Sequence, residues 1–413
     1  MAADSTPMQG GHQVRLLQGG NDFFPALIQA MDASQFEVRL ETYIFYFDAS
    51  GEQVADALAR AARRGVAVFL VMDGAGTAAV PPAWASRFAE AGVQWRIYSP
   101  LGGFAWLRPG NWRRLHRKLC VVDGRVAFCG GINVLDDFHD PNHGPLVSPR
   151  VDFAVQVSGP LVQLASEVTA QFWWRLKAAK NARDREFAAA WAALQAAASA
   201  RSRDDASVVQ PAEQGDEVHP GHLVRAALLL RDNLRHRTQI ERAYRRAIAE
   251  ARHEIVIANA YFLPGLRLRR GLIHAARRGV KVRLMLQGRY EYFMQFHGLR
   301  PIYDGLLAEG IEIIEYTGSF LHAKVAVIDR HWATVGSSNL DPLSLLLARE
   351  ANVVIEDAVF AQDLHTRLEQ AMALGGRRVD PKAHAGRSWH QRCLGWMAYS
   401  LIRAMLFLSR NRY

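Results

Sequence analysis

Cysteine is scarce. The 413 residues contain three, Cys120, Cys129 and Cys393, too few for a disulfide framework and without metal-ligand spacing, so a reducing compartment is expected. Lysine is also scarce, with 6 against 44 arginines, and a lysine at a patterned position is improbable as background. The N-terminus, MAADSTPMQGGHQV, has no apolar h-region, which predicts a chain that carries no signal peptide and stays in the cytoplasm. No Gly-rich nucleotide loop appears, so no nucleotide cofactor is expected, and no metal. Against these absences stands a 50% apolar composition, ample for a full-sized core at a length that predicts two to three domains. Disorder and collagen are excluded. The formal net charge of +10 favours anionic partners, whether membrane surfaces, nucleic acid or phosphorylated substrates.

The chain repeats itself. Ala61-Ala62-Arg63-Arg64-Gly65-Val66 and the apolar run to Met72 recur as Ala275-Ala276-Arg277-Arg278-Gly279-Val280 and a run to Leu286. Each copy reads as the end of an amphipathic helix, a glycine stop and a buried strand. Upstream of each lies a further helix and strand, Phe24–Met31 with Val38–Phe45, and Ile240–Ala251 with Ile255–Phe262. Alternation of this kind implies an α/β fold with two similar halves. The expected divisions are 1–179 for the first half, 180–221 for an Ala-rich helix and mobile linker, 222–374 for the second half and 375–413 for a basic-apolar tail.

His116-Arg117-Lys118 with Asp123 is followed by Gly130, Gly131 and Asn133, and His322-Ala323-Lys324 with Asp329 is followed by Gly336, Ser337 and Asn339. The second set lies 206 residues after the first at every position. Composition alone predicts about 0.01 His-x-Lys-x4-Asp matches per chain, so two in one register are not chance. Histidine and lysine at i and i+2 of a strand share a face. The ammonium binds a phosphoryl oxygen, and the imidazole attacks phosphorus or moves a proton. Two such pairs suit a phosphodiester with an attacking and a leaving side. Each imidazole needs a partner on its other ring nitrogen. Glu350, 28 residues after His322, and Asp152, in the matching place after His116, are the candidates, the longer spacing of Asp152 reflecting the polar insertion Asp136–Pro149. Asp123 and Asp329 complete the motifs and are counted with the catalytic set, but each ends a strand as a turn-forming aspartate does, so their expected role is structural with a secondary influence on the site.

This doubled motif resembles that of the phospholipase D superfamily, and the resemblance covers both halves. It implies a pseudo-twofold pair of α/β sandwiches, each contributing one His-Lys pair to a cleft between them, and a covalent phosphohistidine with no cofactor. Carried over, His116 becomes the nucleophile and His322 the general acid and then base. Lys118, Lys324, Asn133, Ser337 and Asn339 become the phosphate cradle, and Asp152 and Glu350 orient the histidines. Ile132 stands where the second copy has Ser338, so a hydroxyl contact is missing from the first half. The expected reaction is phosphatidyl transfer between two phosphatidylglycerol molecules, giving cardiolipin and glycerol. A nuclease-type phosphodiesterase and a non-catalytic binding module are the rivals.

Two segments predict contact with an anionic membrane, and they favour lipid over nucleic acid. The run Leu101–Arg114 interleaves Phe104, Trp106 and Trp112 with arginines, as at a headgroup interface. The C-terminal run from Trp389 to Leu408, with Trp396, is interrupted by Arg403 and too short to span a bilayer, which suits a helix lying in the interface. The expected location is peripheral, on the cytoplasmic face of a bacterial inner membrane.

Overall fold

The computed structural model describes residues 7–100, 113–200, 222–232, 238–290, 293–341 and 348–410. Phe104, Trp106 and Trp112 lie outside the described residues, as does the expected linker after residue 200. The chain forms two compact units, Thr6–Asp136 with Ala154–Leu228, and Asp137–Phe153 with Leu229–Tyr413. The segment Asp137–Phe153, counted with the first half on sequence, thus belongs to the second unit.

In the first unit, β1 (Gln9–Gln18), β2 (Glu37–Thr42), β3 (Ala67–Asp73), β4 (Gln94–Tyr98), β6 (Lys118–Val122), β7 (Val126–Gly130), β10 (Phe153–Ser158) and the start of β11 (Val224–Arg231) form one sheet. Their order is β11-β1-β10-β7-β6-β2-β3-β4. Strands β2, β3 and β4 are parallel, whereas β6 runs antiparallel to β2 and to β7. Alternate residues of β3 face opposite layers, which is why its apolar run is continuous. Val68, Leu70 and Met72 join the core under α1 (Gly19–Asp32), α2 (Ala49–Arg63) and α3 (Pro82–Ala91). Phe69 and Val71 pack with Leu115 and with Phe172 and Trp173 of α4 (Leu161–Arg183).

The second unit repeats this plan. Strands β12 (Glu254–Asn259), β13 (Lys281–Gln287), β14 (Glu312–Tyr316), β15 (Lys324–Ile328), β16 (Trp332–Gly336), β17 (Ala348–Glu356) and β18 (Gly376–Arg378) lie in the order β18-β14-β13-β12-β15-β16-β17. The path β10-β7-β6-β2-β3-β4 and the path β17-β16-β15-β12-β13-β14 are the same topology, with the same parallel and antiparallel senses. Helices α6 (Gln239–Glu250) and α7 (Leu266–Arg277) pack together, α8 (Phe293–Leu307) lies near β14, and α9 (Ala358–Gly375) runs against β15 and β16.

The repeated Ala-Ala-Arg-Arg-Gly has a structural cause in both units. Gly65 and Gly279 each take φ +89, a left-handed stop that lets the chain turn from helix into strand. The arginine before each glycine reaches back to the end of the preceding helix: Arg64 donates to Met31 O at 2.8 Å and Arg278 to Ile248 O at 3.1 Å. A cation there answers both the orphan carbonyls and the negative end of the helix dipole.

Candidate active site

Neither histidine sits within its strand. β6 and β15 begin at Lys118 and Lys324, and each histidine occupies the two-residue stretch just before. The expected i and i+2 strand face is replaced by a backbone clamp. Lys118 Nζ donates to the His116 carbonyl at 2.7 Å, and Lys324 Nζ donates to the His322 carbonyl. Each lysine is buried, so the contact also draws its ammonium against the histidine it follows.

The residue before each histidine is fixed by the last side chain of a neighbouring strand. Asp73, ending β3, accepts from Leu115 N at 2.7 Å, in the short strand β5 (Arg114–Leu115). Gln287, ending β13, accepts from Leu321 N at 3.3 Å. Burial pushes the Asp73 carboxyl up, against the pull of Arg114 at 3.1 Å and of three backbone N–H groups. Sequence reasoning did not single out this pair, because Asp73 and Gln287 differ in type although they share a place in the repeat.

The carboxylate of the second histidine comes from an unexpected part of the chain. Val151 bridges to Leu321, and His322 N donates to Val151 O at 2.8 Å. The next side chain, Asp152, places Oδ2 2.6 Å from His322 Nδ1, while its Oδ1 accepts from Phe153 N at 2.8 Å. Asp152 was expected to serve His116, and Glu350 to serve His322. The structure instead sets Asp152 on His322, because the segment carrying Asp152 is tied to the second unit. Ser319 Oγ donates to Ser148 O at 2.6 Å, Val151 N donates to Phe320 O at 2.9 Å, and Arg150 pairs with Asp140 at 3.0 Å beside the hairpin of β8 (His139–Asp140) and β9 (Gly144–Pro145).

Glu350 is wholly buried on β17 and accepts from Ser337 Oγ at 2.5 Å. The same Ser337 oxygen accepts from Ala351 N at 3.1 Å. The shorter of its two acceptor contacts is thus to Glu350, the other being Ala351 O at 3.3 Å, and Ser337 helps to place Glu350. Gly336 is required here: a Cβ would come within 2.3 Å of Asn352. Asn133 Oδ1 accepts from Ile44 N at 3.1 Å, and its Nδ2 makes no hydrogen bond among the described residues. Asn339 is buried on the equivalent turn, and the departure at Ile132 is a core position, packed with the first unit's apolar cluster.

Asp123 and Asp329 build turns. Both sit at positive φ in a turn and accept three backbone N–H groups apiece, Asp123 from Gln35, Phe36 and Glu37, and Asp329 from Arg252, His253 and Glu254, at 2.7–2.9 Å. They tie the end of each motif strand to the start of β2 or β12. Burial raises the Asp329 carboxyl, but the three N–H donors outweigh it and hold it below the usual range.

Three further residues escaped the motif search. The Tyr43 ring lies 5.0 Å from the His116 ring at an edge-on angle, with Lys118 Nζ 5.4 Å from the tyrosine centroid. Arg117, between His116 and Lys118, is buried in an ion pair with Glu41. Asn259, paired with Lys324 across β12 and β15, accepts from Leu340 N at 3.2 Å, and its Nδ2 has no partner among the described residues. Position 323 is alanine, so no second Arg-Glu pair exists to reveal the first by repetition. Among the described residues no cluster of three or more His, Cys, Asp or Glu has metal-holding geometry.

Comparison with known proteins gives the family. The family described as "Cardiolipin synthase, PLD-like domain" matches residues 27–172 and 244–372, both copies of the repeat. Cardiolipin synthase B of Salmonella typhimurium is 35% identical over 402 residues, 95% of this chain and 88% of that protein. Cardiolipin synthase B of Escherichia coli K12 is 35% identical over 404 residues with the same coverage. The crystal structure of phosphatidylserine synthase from Haemophilus influenzae aligns with a TM-score of 0.63 at 12% identity, over 97% of this chain and 95% of that one, a likeness of fold. The doubled motif, the duplicated topology and these relatives together show that the chain belongs to the cardiolipin synthase family of the phospholipase D superfamily.

Proposed function

We propose that the protein is a cardiolipin synthase, moving a phosphatidyl group from one phosphatidylglycerol to a hydroxyl of another. The carrying observation is a His-Lys clamp in each unit and, in the second, a buried carboxylate 2.6 Å from His322 Nδ1. That carboxylate fixes the imidazole tautomer and stabilises its protonated form, which is what a general acid and base requires.

In the proposed reaction His116 attacks phosphorus, forming a P–N bond while the P–O bond to glycerol breaks. His322 gives its proton to the departing glycerol oxygen. It then takes the proton of the incoming phosphatidylglycerol hydroxyl, whose oxygen displaces His116 and restores the phosphodiester. Lys118, Lys324, Asn133 and Asn339 hold the phosphoryl oxygens as charge builds there. One phosphodiester replaces another, so the exchange is nearly isoenergetic and uses no nucleotide. Water in place of the acceptor would give phosphatidic acid, and a dry site suppresses that.

The substrate lies in a membrane, and the C-terminal helix supports a peripheral attachment to an anionic surface. α11 (Trp389–Arg410), which follows the short α10 (Pro381–Ala385), touches α8 through small residues. A Cβ at Gly395 would come within 3.3 Å of His297 O and Pro301, and Ala398 is buried beside it. Trp389 and Trp396 remain 69% and 52% exposed, with Met397 and Leu401. No described helix is long and apolar enough to cross a membrane. The three free cysteines favour the reducing, cytoplasmic face.

Incubating purified protein with labelled phosphatidylglycerol, and in parallel with nucleic acid, tests the reading. Cardiolipin and glycerol should appear in equal amounts. Phosphatidic acid alone, or turnover of nucleic acid without lipid transfer, would defeat it.

A further inference from the structure

We propose that the helical hairpin of α4 and α5 (Phe187–Ser199) is a docking surface for an anionic lipid bilayer, separate from the C-terminal helix. α5, with the sequence FAAAWAALQAAAS, contains no charged residue in its 13 positions. Its inner face is Ala190, Ala193 and Ala197, buried in the packing of α5 against α4. Its outer face carries Phe187, Trp191 and Leu194, which are 70%, 64% and 46% exposed and fall at successive turns of one stripe. A helix facing solvent is ordinarily polar on that side, so a helix apolar on both faces calls for a covering on both.

Charge identifies the occupant. The chain reverses between the helices at Asp184-Arg185-Glu186, with Arg185 at φ +64, and this tip carries Lys180, Arg183 and Arg185 against Asp184 and Glu186. A second copy of the chain would bring the same positive excess to the contact, whereas an anionic headgroup layer brings the opposite sign. Tryptophan and phenylalanine next to Lys and Arg is also the composition that partitions to a headgroup boundary, the rings below it and the cations on lipid phosphates. Lys177 lies 4.9 Å over the ring of Trp174, one turn before it in α4, its stem packed along the helix.

The test uses the full chain and vesicles of phosphatidylglycerol with phosphatidylcholine, or of phosphatidylcholine alone. F187Q/W191Q/L194Q changes only solvent-facing side chains, and K180E/R183E reverses the tip. F187Q/W191Q/L194Q should weaken flotation with the anionic vesicles by about tenfold or more, and K180E/R183E by about 25-fold or more at roughly fivefold per surface cation removed, both with unchanged thermal unfolding. In a C393S background, W191C carrying a polarity-sensitive dye should shift to a non-aqueous spectrum on anionic vesicles and not on neutral ones. Wild-type flotation by both variants, or a dye that stays in water on vesicle-bound protein, overturns the proposal while leaving attachment through α11 intact. A concentration-dependent dimer dissolved by F187Q/W191Q/L194Q, with no dye shift on vesicles, overturns it in favour of a second copy.

Discussion

Replacing Asp152 by asparagine keeps the shape of the side chain and removes its charge from His322. The carboxylate is 2% exposed and lies 2.6 Å from Nδ1, with the imidazole 19% exposed, so solvent screens the pair only in part. With charge centres about 4 Å apart and an effective dielectric near 20, attraction between the carboxylate and a protonated imidazole is about 4 kcal/mol. At 1.36 kcal/mol per decade that is roughly a thousandfold in any step where His322 holds the extra proton. Asparagine also offers N–H groups to Nδ1 and favours the wrong tautomer, which adds to the loss. The assay compares phosphatidylglycerol with a phosphatidyl substrate whose leaving group departs as an unprotonated phenolate. Asp152→Asn should cut turnover of phosphatidylglycerol by about 10³ or more. The phenolate burst should survive, because no proton is needed to release it. A loss under about tenfold, or a burst abolished together with turnover, would refute the assignment of His322 as an acid and base held by Asp152.

His116→Ala and His322→Ala should each remove nearly all transfer, since groups acting as one unit are not additive; half the wild-type rate in either would indicate two independent sites. Truncation before Ser388 leaves the Arg387–Asp304 contact at 3.1 Å, and should weaken binding to anionic vesicles while preserving hydrolysis of a short-chain soluble substrate. Unfolding of that truncation in a thermal scan would make α11 a core helix. Asp329→Asn keeps a side chain that tolerates the left-handed turn and removes the charge that the backbone N–H groups stabilise. Because the Asp329 carboxyl is held below its usual range, its contribution is present at neutral pH and lost as the pH falls below about 4. The variant should therefore lose about 1 kcal/mol in urea unfolding at pH 7, a figure discounted for solvent screening, and progressively less at pH 3.

The repeat, the strand runs and both His-Lys pairs were legible because they depend on local pattern: a glycine stop, an apolar run, a rare lysine at fixed spacing. What was misread depends on where a segment goes in space. Asp152 follows His116 in the chain, and spacing by repetition assigned it there. Yet the insertion that lengthens the spacing is the segment that carries Asp152 into the unit of His322. Ser337 matched a phosphate-binding pattern by position, but its hydroxyl hydrogen-bonds to Glu350, which no spacing reveals. Asp123 and Asp329 were visible both as motif members and as turn formers, and their three N–H donors apiece decide for the turn. Asp73 and Gln287 perform one task with different side chains, so the identity of letters could not link them.

Acid-sensitive trapping of the enzyme-bound phosphate tests the central claim most directly. Denaturing quench of the wild type and of His322→Asn during turnover of labelled phosphatidylglycerol, followed by peptide mapping, should place an alkali-stable, acid-labile phosphatidyl group on His116. It should accumulate in the His322 variant if its breakdown is what that histidine serves. A label on His322 in the wild type, or none on either histidine under conditions that preserve phosphohistidine, would contradict the account.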